Sequence, residues 1–165
     1  MLFKKNKQNK ALAKAVHAKE PEKVSQLLED GADPNYNPIL GKHILATAID
    51  YGTPQIVSIL LDAGADPNAH LDGNSHDTTP VRKAINSDKP EMLEALLKHP
   101  KADIFQTASF SSVAGHFHHA SGFHFDLPPA YVVAQRHNDN AMQRICEKYR
   151  KDEIAQRLKN KPKAP

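Results

Sequence analysis

A chain of 165 residues with 39% hydrophobic content is long enough for one domain with a modest core and short for two. Its formal charge of +3 comes from 22 basic and 19 acidic residues, with much of the excess in the terminal segments MLFKKNKQNK and RLKNKPKAP. That falls short of the large cationic excess with which proteins neutralise phosphates, so neither a nucleic-acid nor a membrane partner is expected.

The single cysteine, Cys146, has no partner for an internal disulfide, which suits a reducing cytosol. No apolar run approaches the ~20 residues of a membrane span, and the N-terminus lacks the apolar stretch of a secretory leader.

In chain order, residues 1–9 read as a basic, solvated tail. The block Leu27-Leu28-Glu29-Asp30-Gly31-Ala32-Asp33-Pro34-Asn35 then returns 33 residues later as Leu60-Leu61-Asp62-Ala63-Gly64-Ala65-Asp66-Pro67-Asn68. A third copy, Leu96-Leu97-Lys98-His99-Pro100-Lys101-Ala102-Asp103, carries one extra residue and lacks the glycine. Ala15, Ala48 and Ala84 share one column of the repeat, and Pro21, Pro54 and Pro90 share another.

The prolines stand where a second helix would start, because a first-turn proline sacrifices no helical hydrogen bond and presets the backbone angle. Thr53-Pro54 and Thr79-Pro80 each read as a helix cap followed by the first helical residue. Gly31 and Gly64 follow apolar-periodic runs and are placed for the left-handed residue that closes a helix. Each unit is therefore expected to be helix, tight turn, helix and polar hairpin.

A 33-residue unit with Gly-Ala-Asp-Pro-Asn after the second helix and Thr79-Pro80-Val81 opening the first resembles the ankyrin repeat. The resemblance implies an all-α solenoid of about four helix-turn-helix units with short hairpin loops. The repeats fall at about 10–36, 37–69, 70–104 and 105–150, with a long insertion at 107–127, a closing helix at 151–160 and a tail at 161–165.

The chain departs from the family pattern in places. The first unit lacks the Thr-Pro opening, the second has His43-Ile44 there, and the third has lost its closing glycine. By register, Pro129 to Ala134 belong to the first helix of the fourth unit and Ala141 to Tyr149 to its second, with Ile154 and Leu158 on the apolar side of the closing helix.

The resemblance also implies a function: a monomer without cofactor that binds another protein through a concave face of first helices and hairpins, as adaptor, inhibitor or effector. Short chains of this kind resemble small bacterial members of the family, which implies the cytosol, or a host cytosol for a delivered effector. No phosphate-binding Gly-rich loop, Gly-x-Ser-x-Gly, His-Glu-x-x-His or Cys-x-x-Cys marks an enzyme.

Mapped by column, the exposed ends of the first helices carry His17, Asp50 and Tyr51, Asn86 and Ser87, and Arg136 and His137. The hairpins present Asn37, Ile39, Lys42, His70, Asp72, Asn74 and His76. Tyr51 is the best single anchor, since an exposed aromatic offers a large apolar contact and a hydrogen-bonding tip. Packing of Tyr51 on a neighbouring repeat is the competing expectation. Asp72, His76 and Asp77 read as a polar hairpin tip.

The stretch Gly115 to Asp126 is the least repeat-like part of the chain, with four of its ten histidines and three of its six phenylalanines. Phe117, Phe123 and Phe125 are expected to fold back over the end of the stack, or Phe117 and Phe123 to meet the partner. The alternative is a metal site, because imidazole and carboxylate suit zinc, nickel or copper and His116, His118, His119, His124 and Asp126 could supply ligands. A hairpin turning at Ser121-Gly122 would set His119 opposite His124. Cys146 shares the apolar column of Leu27, Leu60 and Leu96, so it is expected to be buried and inert.

Overall fold

Pro21, Pro54 and Pro90 each open a second helix, as the column of prolines implies. The computed structural model describes residues 2–37, 42–71, 79–105, 109–110, 125–126 and 140–159. In chain order these form α1 (Leu2–His17), α2 (Pro21–Glu29), α3 (Ile44–Tyr51), α4 (Pro54–Asp62), α5 (Pro80–Asn86), α6 (Pro90–Leu97), β1 (Ser109–Phe110), β2 (Phe125–Asp126) and α7 (Asn140–Lys159).

The helix ends follow local chemistry. Thr53 Oγ1 accepts from the Ile56 N–H at 3.3 Å, and Thr79 Oγ1 accepts from the Arg82 N–H at 3.4 Å. His43, which stands where Thr79 stands one unit later, does the same work with Nδ1, accepting from the Leu45 N–H at 3.2 Å. Gly31 (φ 94°) and Gly64 (φ 96°) take the left-handed conformation, and the next N–H in each case, of Ala32 or Ala65, closes back on the carbonyl of Leu27 or Leu60 at 2.9 Å. The third unit, without its glycine, leaves α6 through Lys98 in right-handed conformation.

Helices α1, α3 and α5 pack side by side as one layer, while α2, α4, α6 and α7 form a second layer behind them. Between the layers lie Leu12, Ile49 and Ile85 from the first and Val24, Leu60 and Leu93 from the second, none of them exposed. On α7, Met142 and Cys146 are four residues apart, so they share one face, and both are buried.

Asparagines tie each unit to the next along the hairpin side. Asn35 accepts from the Asp66 N–H at 2.8 Å and donates from Nδ2 to the Gly64 carbonyl at 3.0 Å. Asn68 repeats the pattern, accepting from the Asp103 N–H at 2.9 Å and donating to the Lys101 carbonyl at 2.7 Å. Replacing Asn35 with alanine strips two backbone groups of their partners, and both lie near solvent. The expected cost is therefore about 1–2 kcal/mol, read as a lower urea midpoint with an unchanged denaturant slope.

Two expectations need correction. Residues 2–9 are not a tail but the first turns of α1, with Asn9 buried and its Oδ1 accepting from the Asp33 N–H at 2.9 Å. Asn9 thus does for the first hairpin what Asn35 and Asn68 do for the later ones, and Gln8 adds a bond to the Asp30 carbonyl at 2.8 Å. Reading the segment by charge hid this, since lysine and glutamine are good helix formers.

The separate closing helix at 151–160 is also absent, because the chain from Asn140 to Lys159 is one continuous helix. No glycine or proline interrupts that stretch, so nothing in it would end a helix at Tyr149.

The insertion, finally, is anchored by a short antiparallel ladder pairing Ser109 with Asp126 and Phe110 with Phe125. The expected turn at Ser121-Gly122 and the pairing of His119 with His124 fall at residues 111–124, which lie outside the described residues.

Candidate functional site

Helix α3 is only eight residues long, and its C-terminal pair, Asp50 and Tyr51, is held by groups from the units on both sides. Tyr51 is 43% exposed, and its ring stacks on His17 at the end of α1, with centroids 4.5 Å apart and planes inclined by 29°. Lys42, where the chain enters the second unit, places its ammonium 5.5 Å from the centroid of the same ring. Tyr51 thus packs on a neighbouring unit and still presents a large aromatic surface.

Asp50 is more enclosed, with 16% of its side chain exposed. Its Oδ2 accepts from Lys42 Nζ at 2.9 Å, and its Oδ1 lies 3.0 Å from Lys83 Nζ on α5. Burial alone would raise the carboxyl's pKa, but the bonds from Lys42 and Lys83 outweigh it and hold the group below its ordinary value. The same bond to Asp50 raises Lys42.

Lys89 completes the arrangement by donating to the carbonyls of Ile49 at 2.9 Å and Asp50 at 2.7 Å, so a cation caps the negative end of α3. Gly52 follows directly, and a Cβ there would sit 2.7 Å from the Ala48 carbonyl oxygen, so the tight exit from α3 requires glycine.

The opposite end of α3 depends on a neutral imidazole. His43 is buried, and burial lowers its pKa below the ordinary 6.5, although the Asp66 and Asp33 carboxylates partly oppose this. As pH falls below about 6.5 the unfolded chain takes up the proton first, so stability declines until the folded pKa is reached and then levels off. Protonation would also turn Nδ1 from acceptor to donor and remove the cap. His43→Thr is expected to flatten this part of the stability profile between pH 7 and 5, measured by urea unfolding.

Of the other residues expected to face a partner, Asn86 is exposed at the end of α5, and Asn37 and His70 are exposed beside the hairpins. Ile39, Asp72, Phe117, Phe123, Arg136 and His137 lie outside the described residues, as do His116, His118, His119 and His124, and Asp126 is described only as backbone in β2. Among the described residues no group of three His, Cys, Asp or Glu side chains is arranged to hold a metal ion. Cys146 is buried, and burial pushes its thiol up to about 11, which keeps it protonated and unreactive at neutral pH.

Sequence reading missed Lys83 and Lys89 as parts of this site. The columns do not name Lys83: units two and three are offset by 36 residues, so Asp50 shares its column with Asn86, and Lys83 lies one helical turn before that position.

Residues 12–108 match a family model described as ankyrin repeats in three copies. No curated protein matches the chain. Among the described residues, no helix is long and apolar enough to cross a membrane.

Proposed function

Since this chain belongs to the ankyrin-repeat family, whose repeats are generally protein–protein interaction modules, we propose that it captures one partner protein on the ends of its first helices, with Tyr51 at the centre of the contact. The observation that carries this reading is that Tyr51 is at once exposed and immobilised, between the His17 ring and the Lys42 ammonium. An aromatic side chain already held in place loses little freedom on binding, which favours it as an anchor.

Asn86 and Asn37 extend the surface, Lys42 supplies a charge at its rim, and Asp50 acts from below by positioning Lys42. An adaptor, inhibitor or effector role in a cytosolic setting fits such a surface, which needs only about 800 Å² per partner.

Affinity capture with the tagged full chain tests the reading. Tyr51→Ala is expected to weaken retention of the captured protein about 30-fold or more, the loss of a typical hot spot, while Tyr51→Phe keeps most of it. Equal retention by the alanine variant, with its unfolding midpoint unchanged, would show that the partner docks elsewhere.

A further inference from the structure

Within the three paired units the first and second helices carry opposite charge, which the small net charge of the whole chain conceals. The first helices α1, α3 and α5 bear Lys5, Lys7, Lys10, Lys14, Arg82 and Lys83 against the single acid Asp50. The second helices α2, α4 and α6 bear Glu22, Glu29, Asp62, Glu91 and Glu94 against the single base Lys23, while α7, packed on α6, carries both signs.

On α1, Lys7, Lys10, Lys14 and His17 follow at intervals of three and four, so they line one face of the helix. All four are exposed, and no acidic residue occurs anywhere in α1. This stripe leads directly to Tyr51, because its last member, His17, is the ring on which Tyr51 stacks. The carboxylate beside Tyr51, Asp50, is already engaged by Lys42 and Lys83.

We propose that the partner presents an acidic segment, rich in Asp and Glu, which lies along the lysine stripe of α1 and ends against Tyr51. The inference rests on the reading of Tyr51 as the central contact and adds the chemistry of what binds there. Charge complementarity selects the occupant: an acidic segment gains attraction along the stripe and would be repelled by α2, α4 and α6, which favours the side of the first helices. The stripe spans only about 10 Å from Lys7 to Lys14 and ends on an aromatic ring, a mixture suited to a protein segment rather than to a long phosphate backbone.

Fluorescence anisotropy with the full chain and a labelled peptide of alternating Glu and Asp, ending in Leu, tests this. A peptide of equal length with Gln and Asn in their place, phosphatidylserine vesicles and a short DNA duplex are the comparison arms. The acidic peptide is expected to bind, and its affinity to fall about tenfold on raising salt from roughly 50 to 300 mM. The combined variant Lys7→Glu, Lys10→Glu, Lys14→Glu is expected to lose about tenfold or more. The reversal Lys148→Glu with Lys151→Glu, on exposed positions of α7, is expected to leave binding unchanged.

Equal binding of the neutral peptide, indifference to the α1 reversal, or tighter binding of the vesicles or the duplex would overturn the proposal. The two readings fail separately. Loss of the captured protein with Tyr51→Ala but not with the α1 reversal removes only the acidic partner. Retention with Tyr51→Ala removes the surface itself.

Discussion

Leu60→Ala is expected to lower the free energy of unfolding by about 2–5 kcal/mol, and the same change at Leu27 to cost clearly less. Both leucines open the duplicated block and occupy the same column. Leu60 is 0% exposed, however, with units on either side, whereas Leu27 belongs to the first unit and is only partly buried. Truncating Leu60 removes its transfer energy and leaves a cavity that α4, packed against both α2 and α6, is poorly placed to fill. Truncating Leu27 leaves a site that solvent already reaches. Urea unfolding of the two variants side by side decides the matter, and equal losses would contradict the assignment of the centre of the stack to the second and third units.

Asp50→Ala is the next largest change expected, at about 1–3 kcal/mol. Most of that comes through Lys83, whose side chain is 18% exposed and would be left facing Lys42 and Lys89 without a counter-charge. Lys42 is 53% exposed, so its bond to Asp50 is screened, and Lys42→Ala alone should cost less than about 1 kcal/mol. Because the carboxyl is held below its ordinary 3.8, its contribution is fully present above pH 4 and disappears as pH falls through the folded value. The difference in stability between wild type and Asp50→Ala should therefore shrink in acid. A difference that stayed constant from pH 7 down to 3 would show that the ion pairs are not its source.

The sequence made the helices legible because the repeat period fixes which residues share a column and the Thr-Pro pairs and glycines mark where helices begin and end. Gly31 and Gly64 take the left-handed angles expected of them, and Cys146 is buried as its column implies. Contacts between columns were harder to see. Asn35 and Asn68 stood inside the duplicated block, yet the bonds they make belong to the following unit.

Asp50, expected among the partner contacts, is also held by Lys42 and Lys83, and Lys83 lies one helical turn before Asn86, the residue in the column of Asp50, so the repeat does not name it. Lys89 carries no signal either, since its role depends on a long side chain reaching back to carbonyls of the preceding unit. The first turns of α1 were hidden for a different reason: a run of lysines reads as solvated whether or not it is helical.

Hydrogen exchange on the chain with and without its captured partner tests the central claim most directly. Docking on the ends of the first helices predicts slowed exchange at His17 to Lys19, Asp50 to Gly52 and Asn86 to Lys89, with the amides of α2 and α4 unchanged. Protection confined to α2, α4 and α6, with Tyr51 and its neighbours exchanging as in the free chain, would place the partner on the other layer and contradict the account.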